Sequence, residues 1–248
     1  DEALKKISLF CNVKKENVIP ALNAKSIYEV PSLYSKAGLD KALLNELGYD
    51  HKKYPLDLKP WNEVVYKFNN PKNKIKISVV GKYTNLKDSY KSLNEAIIHG
   101  GLYNNADIEI NWINAEKYDK ELIADELLDS NGIIVPGGFG ERGIQGKLSS
   151  ITFARENNIP YFGICLGMPL AVIEISRNLL KIQDANSTEF AETKNPVVGL
   201  MTEWKKENIK VSRGLNSDKG GTMRLGAYPC NLRKDSLVSG IYKVDQIQ

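Results

Sequence analysis

The sequence sets a cysteine between two glycines, Gly163-Ile164-Cys165-Leu166-Gly167-Met168, where an apolar run from Pro160 to Ile164 ends. A strand that stops in such a turn and reopens as a helix leaves the middle side chain on a tight, exposed corner. The glycines tolerate the crowded backbone, and the start of the helix favours negative charge on the sulfur. This is the cysteine form of the nucleophile elbow, so Cys165 is the expected nucleophile, weighed against a buried structural thiol. Attack on a carbonyl or amide carbon also needs an oxyanion site and a base. The N–H of Leu166 and one from Val135-Pro136-Gly137-Gly138 could point at a single oxygen; alone, the glycine pair reads equally well as a strand-ending turn. The base is harder to find, because the chain holds only two histidines. His51 lies in a Lys-, Asn- and Pro-rich stretch, and His99 ends a helix beside Gly100-Gly101, where capping or packing is its expected role. The expectation is that the base lies beyond Gln248 or that this polypeptide is inactive by itself.

The elements that must position these groups follow from periodicity. Strands are predicted at 75–80, 108–113, 132–135 and 161–164, and helices at 89–99, 120–128, 148–157 and 168–180. Such alternation predicts an α/β fold: a doubly wound, mainly parallel sheet with helices on both faces. Ligands bind such sheets beyond the carboxyl ends of the strands, where Gly81, Gly137-Gly138 and Cys165 all fall. Further strands are read at 197–201, 209–212 and 222–225.

Ahead of this domain, residues 7–11 read as a short buried strand, 14–18 as a helical turn and 39–47 as an amphipathic helix. Residues 1–50 hold too few apolar residues for a core of their own and are assigned to a larger neighbouring domain. Residues 51–73, with Pro55, Pro60 and Pro71, read as a linker, and the main domain occupies 74–248. A hydrophobic fraction of 42% and a charged fraction of 26% over 248 residues are those of a globular protein. No apolar run approaches a membrane span and no signal-peptide core opens the chain, so neither a membrane nor secretion is expected. The net charge of +4 comes from scattered lysines and does not point to nucleic acid. Cys11, Cys165 and Cys230 are an odd, widely spaced set, which argues against a disulfide framework or a metal site and for the cytoplasm.

Four blocks together resemble the CTP synthases: Gly163 to Met168, Val135 to Gly143, Asp184-Ala185-Asn186-Ser187-Thr188-Glu189-Phe190 and Gly220-Gly221-Thr222-Met223-Arg224-Leu225-Gly226. The first two, read loosely, occur in all class I glutamine amidotransferases; the latter two are more specific, as is Val80-Gly81-Lys82-Tyr83 with Asp88-Ser89-Tyr90-Lys91. Residues 1–50 look like the end of that family's synthetase domain. The resemblance implies glutamine hydrolysis at Cys165, with ammonia passed to a synthetase centre where ATP and magnesium drive conversion of UTP to CTP and GTP activates. It implies glutamine contacts at Gly138, Leu166, Gly167 and Met168, with Glu189 holding the substrate amino group, a pairing of opposite charges. Lys82, Lys91 and Phe139 are similar to residues near the activator site and tunnel mouth. A homotetramer or filament is the implied assembly.

Two departures stand out. The family has glutamine where this chain has Pro169, which removes a side-chain amide from the substrate pocket although proline is sterically acceptable in a first helical turn. The family's histidine and glutamate, which complete the triad, are also expected beyond Gln248. The competing readings are a catalytically incompetent assembly or regulatory module, or another class I amidotransferase.

Overall fold

Nine residues from Asn73 to Gly81 form β1, exposed at its start and buried over its last four residues, Ser78 to Gly81. A computed structural model describes residues 2–84, 87–118, 120–138, 140–199, 203–206, 209–212 and 227–248. It divides into one unit spanning Asp1–Gly199 and a second spanning Leu200–Gln248.

In the first unit, β1 lies between β2 (Ala106–Asn114) and β3 (Gly132–Val135), and β4 (Tyr161–Gly163) pairs with β3. The order is β2-β1-β3-β4 and every pairing is parallel. The chain passes from β1 outward to β2 and then back across to β3, so the switch in winding falls between β1 and β3. The expected doubly wound sheet is therefore present. Odd-numbered β2 positions meet one helical layer: Ile113 joins a core built with Ile123 and Leu127 of α6 (Lys120–Leu127), Leu148 and Ile151 of α7 (Ile144–Glu156) and Leu170 and Ile173 of α8 (Gly167–Asn178). Even positions meet α5 (Lys91–Tyr103) on the other face, where a Cβ on Gly101 would fall 2.5 Å from Ile108 Cγ1. Helices thus cover both faces.

Two charged or polar clusters sit inside these layers. The Ser78 and Ser130 hydroxyls lie 2.6 Å apart, joined by Asn111, whose amide donates 3.3 Å to Ser78 Oγ. Between α7 and α8, the Glu174 carboxylate is buried and accepts from Arg155 Nε at 2.9 Å and from Asn178 Nδ2 at 2.7 Å. A buried carboxylate needs such partners, and here they clamp the two helices that flank the site. After α8, β5 (Asn186–Ser187) and β6 (Pro196–Val198) make a short parallel pair.

The N-terminal stretch differs from its reading. Residues 7–11 belong to helix α1 (Glu2–Cys11), not a strand: Ala3, Ile7 and Phe10 recur at helical spacing, and Lys6 Nζ pairs with Glu2 at 3.1 Å. A short apolar run is ambiguous between the two periods, and i,i+4 charges favour the helix. Helices α2 (Val30–Lys36) and α3 (Leu39–Glu46) follow, and the proline-rich stretch contains α4 (Lys59–Asn69), whose Pro60 sits in the first turn where a missing N–H costs nothing. None of these helices carries a buried residue, and Leu9 and Phe10 are exposed. Tyr28 is the anchor: Trp61 Nε1 donates to its carbonyl at 2.7 Å, its ring packs on Phe68 and His99, and its hydroxyl donates to Glu95 of α5 at 3.0 Å.

In the second unit, β7 (Glu203–Lys206) and β8 (Ile209–Ser212) form an antiparallel pair, as do β9 (Cys230–Asn231) and β10 (Gln246–Ile247). Between the latter lies α9 (Leu237–Tyr242), with the Ser236 hydroxyl accepting from the Ser239 N–H. The strand expected at 222–225 lies outside the described residues.

Candidate active site

Cys165 is exposed and stands in the left-handed region at φ 52°, a conformation that side-chain-bearing residues seldom adopt and that concentrates at functional sites. It occupies the corner between β4 and α8. The glycines on either side are sterically required. A Cβ on Gly163 would lie 2.4 Å from the Gly167 carbonyl carbon, and one on Gly167 would lie 2.3 Å from the Val135 carbonyl oxygen. The turn is therefore closed by direct backbone contact between α8 and the ends of β3 and β4. Three hydrogen bonds set its course: Ile164 N–H to Val135 O at 2.9 Å, Gly167 N–H to Ile164 O at 3.0 Å and Met168 N–H to Cys165 O at 3.1 Å. From β4 the Tyr161 hydroxyl donates to Gly167 O at 2.7 Å, and burial pushes that phenol well above its usual range.

The glycine pair expected beside the cysteine is brought to it. A Cβ on Gly137 would lie 3.2 Å from Cys165 Cβ and 3.7 Å from its Sγ, so a side chain here would crowd the cysteine and the absence of one lets the β3 end come close. Gly138 follows with open space on its side-chain side. Leu166 is buried in the core, which fixes the first turn of α8, whereas Met168 is exposed and Pro169 half-buried. Phe139 lies outside the described residues.

Beyond β1, Lys82 is buried and its Nζ donates to Gly140 O at 3.4 Å, which connects the β1 end to the glycine loop. Burial and the Arg142 charge hold its ammonium below the ordinary lysine value, and the Glu116 and Glu189 carboxylates oppose them. Glu189 is thus within electrostatic reach of Lys82, and its N–H donates to Ser187 Oγ at 3.1 Å. Lys91 lines a groove of about 450 Å³ with Asp88, Asn94, Ile98, Ile108, Ile110 and Trp112, and Lys82 is not among the lining residues. The structure thus gathers Cys165, Gly137-Gly138, Lys82 and Glu189 around the carboxyl ends of the strands and sets Lys91 apart. Neither histidine joins them: His99 packs edge-on against Tyr28, and His51 Nδ1 is 3.0 Å from Asn45 Oδ1.

Sequence reasoning missed several residues of this crevice. Lys147, on α7, is 1% exposed, and burial with the neighbouring Lys82 charge lowers its pKa from 10.5 to about 8, against the pull of Glu116. The signal was a lysine on the apolar helix face of Leu148, Ile151 and Ala154, which the expected helix start at 148 excluded. Tyr83, at φ 54°, also stands in the left-handed region. Its ring lies under the Arg142 guanidinium, 5.3 Å from the centroid, and Arg142 Nε is 3.1 Å from Glu116 Oε1. No periodicity marks such loop contacts.

Comparison with known proteins extends this picture. The family model described as glutamine amidotransferase class-I matches residues 85–246, and one described as CTP synthase N-terminus matches residues 1–49. The chain is similar to the CTP synthase of Brucella ovis, with 51% identity over 238 residues, and to that of Rhizobium meliloti, with 50% identity; each match covers 96% of this chain. The chain spans 44% of the length of these relatives. Among solved structures it resembles the Trypanosoma brucei CTPS glutaminase domain with bound acivicin, at TM-score 0.57 and 36% identity, over 69% of this chain and 64% of that one.

Proposed function

The chain belongs to the class-I glutamine amidotransferases, and from that premise we propose that it hydrolyses glutamine at Cys165 and supplies the ammonia for amination of UTP to CTP. The observation that carries this reading is the exposed left-handed cysteine packed against Gly137. The sulfur attacks the side-chain carboxamide carbon, and the N–H groups of Leu166 and Gly138 receive the developing oxyanion. Collapse expels ammonia and leaves a thioester; water then releases glutamate and restores the thiol. Donors already in place at the moment of charge development are worth about 2.7–4 kcal/mol each. Gly167 and Met168 border the bound side chain, and the Glu189 carboxylate receives the cationic amino group. The proton acceptor is neither His51 nor His99, because both are engaged elsewhere.

The second half of the reaction is read from the relatives. Residues 1–50 are proposed to be the end of a synthetase domain, in which ATP and magnesium activate UTP, with GTP as activator and Lys82, Lys91 and Phe139 toward its site or the ammonia route. Among the described residues no group of three or more His, Cys, Asp or Glu is placed to hold a metal. Among them, too, no helix is long and apolar enough to cross a membrane. Cytoplasmic location and assembly into homotetramers or filaments complete the reading.

The test is covalent. Acivicin, which the Trypanosoma brucei glutaminase domain holds bound, should label Cys165 in preference to Cys11 and Cys230, and excess glutamine should protect it. Equal labelling of the three cysteines, without protection, would remove the assignment.

A further inference from the structure

The segment from Gly137 to Gly143 is rich in glycine, and its first residue lies within contact distance of Cys165. Its far end is docked on the turn after β2: a Cβ on Gly143 would meet Glu116 Cγ at 3.3 Å, and one on Gly146 would meet Ala115 O at 2.3 Å. That turn is itself tied down, with Ala115 N–H donating to Gly81 O at 2.9 Å and Glu116 N–H to Asn114 Oδ1 at 3.0 Å.

Three cations surround the docked segment: Arg142 at its end, Lys147 on the helix behind it and Lys82 beneath it. The two lysines are buried and repel each other, whereas the Arg142 side chain is 61% exposed. Glu116 pairs with Arg142, its carboxylate 3.1 Å from Nε, and lies within electrostatic reach of both lysines. The Glu116 side chain keeps 29% of its exposure, so its charge stays hydrated there, whereas Lys147 is sealed at 1%. The other groups facing this set are Glu189, toward Lys82, and Tyr83, whose hydroxyl accepts from Arg142 Nη2.

We propose that Glu116 is a positioning residue for the nucleophile centre: by holding Arg142 and offsetting the buried lysines, it keeps the Gly137–Gly138 backbone against Cys165. Its effect passes through the loop. The proposal rests on the reading of Cys165 as nucleophile and Gly138 as oxyanion donor, and its test has an arm that does not depend on that reading.

Glu116→Gln keeps the side chain's shape and removes its charge. Amide hydrogen exchange by mass spectrometry of the whole chain should show peptides across 137–146 exchanging tenfold faster or more, with β1, β3 and α8 unchanged. In parallel, the ratio of Cys165 labelling by acivicin to labelling by iodoacetamide should fall tenfold or more, because only the former needs the oxyanion donors. Should Glu116→Gln not fold, Glu116→Gln combined with Lys147→Met, which also removes the buried ammonium, replaces it in both measurements with the same outcomes expected. Exchange across 137–146 at the wild-type rate overturns the proposal. So does faster exchange with an unchanged labelling ratio, which would make Glu116 a loop anchor with no bearing on the nucleophile. If the wild-type chain takes no acivicin, the glutaminase reading fails while the exchange arm still decides whether Glu116 holds the loop.

Discussion

Gly167→Ala isolates the geometry on which the nucleophile depends. The added methyl would sit 2.3 Å from the Val135 carbonyl oxygen, where ordinary contact begins near 3.4 Å, so α8 and β3 must part by about 1 Å. Forcing a methyl into a closed contact costs about 1–3 kcal/mol. Alanine's better helix propensity returns at most about 1 kcal/mol of that. A contact as short as 2.3 Å puts the cost in the upper part of that range, so the net loss is about 1–2 kcal/mol and lowers the melting temperature by roughly 2–8 °C, at about 2–4 °C per kcal/mol. The functional loss should be larger than the stability loss. Parting α8 from β3 moves Cys165 away from Gly137, and a displacement of about 1 Å in a reacting group can cost on the order of 100-fold. Thermal unfolding by circular dichroism gives the first quantity, and the acivicin labelling rate of Cys165 relative to iodoacetamide gives the second. A variant that melts within about 1 °C of wild type (about a quarter of a kcal/mol) and labels at an unchanged ratio would refute the claim that backbone contact sets the sulfur's position.

Cys165→Ala and Cys165→Gly should both abolish glutamine-protected labelling, but the glycine variant should be the more stable by about 0.5–1 kcal/mol, because alanine keeps the left-handed strain that glycine relieves; urea denaturation of the pair checks it, and equal midpoints would count against strain. Lys147→Met should stabilise the fold at pH 7 by on the order of 3 kcal/mol, the penalty of keeping an ammonium whose pKa has dropped from 10.5 to about 8. The sign follows from linkage: below about pH 8 both states carry the proton and the penalty is full, between 8 and 10.5 the unfolded chain binds more protons so wild-type stability rises, and the variant's advantage should shrink across that window in matched melts. Tyr161→Phe deletes the hydroxyl that donates to Gly167 O and should cost about 1 kcal/mol in urea denaturation, with faster amide exchange at the start of α8. Pro169→Gln should improve protection of Cys165 by glutamine if the family's amide belongs in this pocket, as read from the half-protection concentration.

What the sequence made legible was periodic or punctuated. β3 coincides with its predicted range, and the elbow was readable because a glycine-flanked cysteine between a strand and a helix admits few conformations. Glu189 is a different case: nothing in its spacing distinguishes it from a loop acid, and only the family blocks single it out. Helix α1 was misread because a short, mostly apolar stretch satisfies both periods, and the competing Glu2–Lys6 pair lies outside that window. The Glu116–Arg142–Tyr83 set was invisible because each member sits in a different loop and they meet only when β1, β2 and β3 are side by side. Lys147 was hidden by a helix start placed four residues late, which cut off the turn that carries it.

The strand order has a consequence for synthesis. The sulfur arrives on the last strand of the sheet, and the glycines that face it hang from the strand before, so no shorter nascent chain can assemble the pair. During synthesis the corner can close only after β4 has emerged and paired with β3 and α8 has followed it.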